Sequence, residues 1–422
     1  MLYTLNSLQD AQQLYRWFEE MRETQPVWRD EQSGCWHVFR YQDVYRVTTE
    51  FSTFSSEVRR FPEPHTENGR TRMGRSLIVM DPPQHRKYRD LVAPAFTPRA
   101  LARLSGRIAT ITQELLDDVK PKGHMDVATD LAYPLPTIVI AELLGVPTSD
   151  RPMFRRWADE LLSQQLSDAE LLDERTQRAR LSTNFQEMLD YFQTMLEERK
   201  RHPQADLMSD LLTAEVDGER LSMDDTISFC ILLLIAGHIT TTNLLTQAIR
   251  CFDEHPDVIE ELRRQPELMP GAIEEVLRYA SPVWRLIRAA KTDVTLHDVT
   301  IPAGTLIFAW VASANRDGEQ FSQPEEFTIR RSPNKHVAFG HGIHFCVGAP
   351  LSRLEASIAL PMALEQLQGL RRAPGQPGEL FAGRLLFGFK HLPVVFTPRE
   401  AAPKTPTHHS FQTSERTHAN NL

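Results

Sequence analysis

Phe339-Gly340-His341-Gly342-Ile343-His344-Phe345-Cys346-Val347-Gly348 is the stretch that decides the fold of this 422-residue chain. Its glycines allow backbone conformations closed to other residues and a close approach to a bulky group. An amphipathic run from Leu351 to Leu367 follows, which puts Cys346 at the mouth of a predicted helix. Free N–H groups and the positive end of a helix dipole favour a thiolate there, the form of sulfur that binds metal. A lone cysteine is more commonly a small buried hydrophobe, so the loop has to be weighed with the rest of the chain. Zinc is one alternative, with His341, His344 and Cys346 as ligands, although no fourth ligand stands at a plausible spacing and HExxH is absent. A dinucleotide loop beginning at Gly340 fails, because Phe345 takes the place of the third glycine.

Around this loop the chain reads as mostly helical. Apolar residues recur three or four apart, with charges between them, near 8–22, 99–119, 149–164, 168–201, 223–253, 256–280 and 349–369. Strand-like alternation is confined to Trp36–Phe39, Val294–Phe308 and Leu385–Phe396. No repeat or long linker divides the chain, so residues 1–397 are expected to form one domain. The Pro-, Thr-, Ser- and His-rich stretch 398–422 is expected to be a disordered tail.

Composition narrows the function classes. A net charge of −9 argues against nucleic acid as the main partner. Four widely spaced cysteines form no CxxC pair and no disulfide framework, and no signal-peptide pattern opens the chain, so a reduced cytoplasmic compartment is expected. The apolar run Phe229–Ala236 is far shorter than the roughly 20 residues a membrane crossing requires.

The decapeptide resembles the haem-binding loop of cytochromes P450, Phe-x-x-Gly-x-His/Arg-x-Cys-x-Gly, with Phe339, Gly342, His344, Cys346 and Gly348 at the fixed positions. The resemblance spans residues 36–397 and is in order along the chain. It implies a mainly α fold with a small β portion: a triangular helical prism with haem b between the long oxygen-side helix and the cysteine-loop helix. Cys346 would ligate the iron, Phe339 would pack on the proximal side, and His344 would bond a propionate. Asp81-Pro82-Pro83 sets a helix start, after which His85 and Arg89 share one face. By resemblance these two, with Arg288, complete the propionate partners. Glu275 and Arg278, at i and i+3, match the family's buried Glu-x-x-Arg brace, with Arg316 or Arg330 as third member.

Ala236-Gly237-His238-Ile239-Thr240-Thr241-Thr242 interrupts an apolar helix with residues of low helix propensity. In the family, Ala-Gly-x-x-Thr admits dioxygen, and the threonine supports proton delivery. Ala236, Gly237 and Thr240 match, with Thr241 beside them. The acid that usually precedes the threonine is Ile239 here, which cannot relay a proton. Ordered water, helped by Thr240, Thr241 or a substrate hydroxyl, is the expected substitute.

The resemblance thus implies a monooxygenase that hydroxylates or epoxidises a hydrophobic small molecule, with polyketides, macrolides, terpenoids or fatty acids as the substrate class by analogy. The expected pocket wall is Ile78, Val79, Leu232, Ile239, Val283, Trp284, Leu286, Leu386 and Phe387. Arg59, Arg60, Arg70, Arg72 and Arg75 read as a solvated loop. A monomer is expected, fed by a separate ferredoxin or flavodoxin with its NAD(P)H-dependent reductase. Arg86, Lys87, Arg99, Arg103, Arg107 and Arg353 would offer it a basic face. A peroxide-driven enzyme or a haem protein without turnover is the alternative that Ile239 keeps open.

Overall fold

The structure is a computed structural model that describes residues 7–58, 76–150, 152–154, 156–157, 183–381 and 385–398. The arginine loop, much of the expected helices 149–164 and 168–201, and residues 399–422 of the expected tail lie outside the described residues. Ten helices of nine or more residues stand among the described residues. They are α1 (Leu8–Thr24), α2 (Tyr41–Thr49), α3 (Gln84–Val92), α4 (Ser105–Val119), α5 (Pro134–Leu144), α6 (Thr183–Arg201), α7 (Met223–Glu254), α8 (Pro256–Arg264), α9 (Met269–Tyr279) and α10 (Ala349–Gln366).

Where the expected helices break, local chemistry explains it. The 256–280 segment divides because Pro266 and Pro270 each start a new turn, giving α8 and α9. The last helix stops at Gln366, and Leu367–Arg372 turns into a strand that pairs with Pro393–Pro398. Pro398, placed in the tail from sequence, pairs with Leu367 instead.

α7 is 32 residues long. Ser222 caps it by accepting a bond from the Asp225 N–H, and Asp224 and Asp225 complement its dipole. By length and hydropathy it could cross a membrane, yet most of its apolar window is buried inside the fold. It packs on α5, α6, α9 and α10, and its stripe joins the main hydrophobic core.

A five-stranded sheet flanks the helices: β1 (Val27–Arg29), β2 (Trp36–Val38), β3 (Phe54–Ser55), β4 (Leu286–Ala290) and β5 (Leu306–Ala309), in the order β1-β2-β5-β4-β3. β5 pairs β2 in parallel, and the other pairings are antiparallel. The two-residue period of β4 turns both Leu286 and Arg288 to one cavity.

Candidate functional site

That cavity lies between α7 and the cysteine loop. The loop is held by short-range geometry. Gly340 and Gly342 both take positive φ, 69° and 70°. A side chain at Gly342 would press on the backbone of Thr48 and Thr49 in α2. The Cys346 N–H donates to the Phe339 carbonyl at 2.9 Å, closing the loop beneath the sulfur. Burial pushes the Cys346 thiol up, while the N–H groups of Gly348 and Ala349 and the charge of Arg89 act in the opposite direction. The side chain nevertheless remains accessible, because it lines the cavity. Phe339 lies alongside, under the Arg353 guanidinium at 4.5 Å.

Four nitrogen-bearing side chains gather on the cavity wall: His85, Arg89, Arg288 and His344. The two imidazole centroids are 4.2 Å apart, and the Nε2 atom of each is buried without a protein partner. Burial, with Arg288 beside it, brings His344 down to about 3; burial and Arg89 likewise lower His85. Burial also lowers Arg288, to about 10. Among the described residues no carboxylate lines the cavity, and nearby Asp81 is taken by Lys291, Ser55 and the Ser56 N–H. Buried donors and cations without an anion are costly. The set therefore fits a ligand that brings two carboxylates, as haem does.

The loop is braced from behind by Glu275 and Arg278, both fully buried and joined at 2.8 Å through two parallel bonds. The third member is neither Arg316 nor Arg330 but Arg331, 3.1 Å from Glu275. Arg316 turns to the Tyr279 carbonyl and Glu325, and Arg330 to Glu261. The Thr328 N–H and Asn334 also bond Glu275, while Arg278 gathers the carbonyls of Asn315, Pro324 and Glu326.

The chain belongs to the cytochrome P450 family. The family model, Cytochrome P450, matches residues 2–370. The chain is 41% identical to the cyclomarin C epoxidase CymV of Salinispora arenicola, over 92% of this chain and 98% of that protein. It is 36% identical to the erythromycin C-12 hydroxylase of Saccharopolyspora erythraea, over 93% and 97%. Among solved structures, substrate-free CYP109E1 from Bacillus megaterium superposes with a TM-score of 0.83 at 40% identity, covering 91% of this chain and 99% of that one. The protein is accordingly a haem-b monooxygenase of the bacterial P450 class. The zinc alternative has no support, since no three His, Cys, Asp or Glu side chains converge on a metal position among the described residues.

The oxygen-side face of α7 follows its helical period. Phe229, Leu232, Leu233, Ala236, Gly237, Thr240, Thr241 and Leu244 line the cavity. Gly237 is small because a Cβ there would sit 2.8 Å from Ile140 of α5. Ile239 falls off this stripe: it is buried and does not line the cavity. His238 turns away, its Nδ1 2.5 Å from the Leu234 carbonyl. Thr240 donates to the Ala236 carbonyl, and the Thr241 hydroxyl lies 3.2 Å from that of Ser352. One turn further along α10, Glu355 is fully buried with both oxygens unpartnered, and burial raises its pKa well above the usual carboxylate range.

Of the expected pocket wall, Ile78, Leu232, Val283 and Leu286 line the cavity, as does Gly348. Val79, Leu386, Trp284 and Phe387 do not. Val283 faces the cavity, while Trp284 packs back into the core, against Tyr15, Phe18 and Phe387. Phe387 instead lines an outer cleft beside α1, and Leu386 only bridges Val283 through the backbone. Leu233, within the expected Leu232–Ile239 stretch, also lines it, whereas Phe96, Ile140, Phe229 and Leu244 are wall residues that the sequence reading missed. Extending the period of α7 through Ala236 and Thr240 would have found the last two.

Proposed function

We propose that this P450 hydroxylates or epoxidises a bulky, largely apolar natural product such as a macrolide, polyketide or cyclic peptide. The observation that carries this reading is the wall above Cys346. Among the described residues, and apart from Thr240, Thr241 and Ser352, its non-haem side is built of aliphatic and aromatic side chains, which suits selection by shape and apolar contact. Two relatives are named as an epoxidase of cyclomarin C and a C-12 hydroxylase of erythromycin, the two reaction types proposed.

Haem held at Cys346 would supply the oxygen chemistry. The protein's own contributions are separate. Cys346 would ligate the iron, His85, Arg89, Arg288 and His344 would hold the two carboxylates, and Phe339 would pack beside the sulfur. Ala236 and Gly237 keep the oxygen side open. Thr240 and Thr241 hold hydroxyl protons at that face, and Ser352 joins Thr241 to the neighbourhood of Glu355. A neutral Glu355 is an acid reserve in place of the one Ile239 lacks. Unlike a side chain at 239, it stands behind hydroxyls that face the cavity.

Electrons come from a separate ferredoxin or flavodoxin that docks on the proximal face of a cytoplasmic monomer. Arg86, Arg99 and Arg103 are its exposed cations. Lys87, Arg107 and Arg353 are already engaged, with Glu219, Glu142 and Glu274 respectively.

Spectral titration of the purified holoprotein against macrolides, cyclic peptides, steroids and fatty acids tests the substrate class. The reading predicts conversion of the ferric Soret band toward high spin with a bulky ring compound, and an oxygenated product when ferredoxin, reductase and NAD(P)H are added. Binding without any product would favour the non-turnover alternative.

A further inference from the structure

Behind the cavity wall lies a second polar place that the haem site does not use. Asn243 and Gln247 stand one turn apart on α7, both fully buried. Asn243 has neither its Nδ2 nor its Oδ1 partnered, and Gln247 has an unpartnered Nε2. The indole Nε1 of Trp284, also fully buried, has no partner either. The Trp284 ring packs at a tilt on Phe387, with centroids 4.5 Å apart, and at the next residue, Gly388, an added Cβ would lie 1.9 Å from the Asn243 Oδ1. Asn243 and Trp284 thus both pack against the segment 387–388. With Gln247 they present three donors and one acceptor with no protein group to meet them.

The residues next to it in the chain line two separate spaces. On one side, Leu244, Pro282 and Val283, adjacent in sequence to these residues, line the haem cavity. On the other, Phe387, Tyr15 and Arg250 line the outer cleft beside α1. Arg250 donates to the Gln247 Oε1 at 2.7 Å and pairs with Glu254, so the amide row ends at the cleft.

We propose that Asn243, Gln247 and Trp284 hold a cluster of ordered water that links the haem cavity to the outer cleft. Through it, cavity water drains when an apolar substrate enters. Water is the ligand these atoms fit: each molecule accepts from an amide or indole N–H and donates to the Asn243 oxygen, with two to four partners. The Arg250–Glu254 pair marks the outer end of the cluster. Proton supply is assigned to the Thr241–Ser352 side. The drainage half of the proposal rests on the apolar-substrate reading above; the water site does not.

Two measurements on the holoprotein separate them. The first is a crystal structure at high resolution, without substrate. Water within hydrogen-bond distance of Asn243, Gln247 and Trp284 is expected, and three dry groups would overturn the site. The second compares wild type with Gln247→Leu, and with the milder Gln247→Met should the leucine variant fold poorly. The probe is imidazole or a bound apolar azole, followed by stopped-flow absorbance, which needs no knowledge of the natural substrate. Displacement of cavity water by the azole should slow about tenfold with an unchanged end-point spectrum. Equal rates in a variant that has lost the waters would overturn the drainage path. Failure to find any natural-product substrate would leave both of these readouts intact.

Discussion

The brace behind the cysteine loop and the oxygen-side face of α7 are built on opposite rules. Around Glu275, charge is met by charge: Arg278 and Arg331 bond the carboxylate, the Thr328 N–H and Asn334 complete it, and three carbonyls receive Arg278. Across the cavity, α7 presents a stripe of apolar residues and hydroxyls, while Asn243 and Gln247 on its other side keep unpartnered atoms in the interior. The first region fixes one geometry, that of the loop carrying Cys346. The second leaves room for what comes and goes: dioxygen, substrate, water and protons. Rigidity is concentrated where the cofactor is held, and adaptability where the substrate differs between relatives.

The sharpest way to break this contrast is at the brace. Glu275→Gln leaves Arg278 and Arg331 as uncompensated buried cations and should cost about 3–5 kcal/mol of stability. Urea unfolding should show a lower midpoint, and the purified protein should carry little haem. A midpoint unchanged from wild type would mean that the charge network is not what holds the loop.

Arg288→Leu comes next. It removes a charge-assisted bond to a carboxylate, worth about 1.5–3 kcal/mol, or roughly a ten- to hundredfold faster loss of haem. Haem transfer to excess apomyoglobin measures it, and wild-type kinetics would remove Arg288 from the propionate set.

On the oxygen side the effects fall on coupling rather than on folding. Glu355→Gln should lower product formed per NAD(P)H severalfold while the carbon monoxide spectrum stays unchanged. Glu355→Asp, which keeps an acid at the same place, should retain more coupling than Glu355→Gln, which a packing defect at this position would not allow. No change in coupling would show that Glu355 supplies no protons.

The smallest effect belongs to the wall. Leu232→Phe should change affinity for a bound macrocycle by about 1–3 kcal/mol and redistribute the position of oxygenation. Spectral titration and product analysis read both, and identical products would place the substrate away from α7.

How much of this was legible in the sequence follows the same division. The cysteine loop, the propionate partners and the Glu275–Arg278 pair stand in fixed local patterns, because a rigid macrocycle imposes short-range spacing. Arg331 was missed in favour of its neighbour Arg330, since a loop carries no period to say which of two adjacent arginines turns inward. Trp284 and Phe387 are apolar residues in the expected pocket segments, and Trp284 reads equally well as a core residue from sequence. Apolar character alone does not say which side of an irregular segment faces the cavity, and both pack into the core. Ile239 was read as a missing acid, and the helical period shows that its side chain stands off the cavity-facing stripe. Glu355 could not be singled out, because nothing in its local sequence distinguishes a buried carboxyl from one of the many acids on helix surfaces. Its burial is a product of how α10 packs against α4, α7 and α9.

Everything rests on the Cys346 sulfur as the axial ligand. The direct measurement is the absorbance of the dithionite-reduced protein under carbon monoxide, beside that of Cys346→Ser. Thiolate ligation predicts a strongly red-shifted Soret band in the wild type and its loss in the variant. An unshifted band in the wild type, with haem bound equally well by the serine variant, would contradict the account.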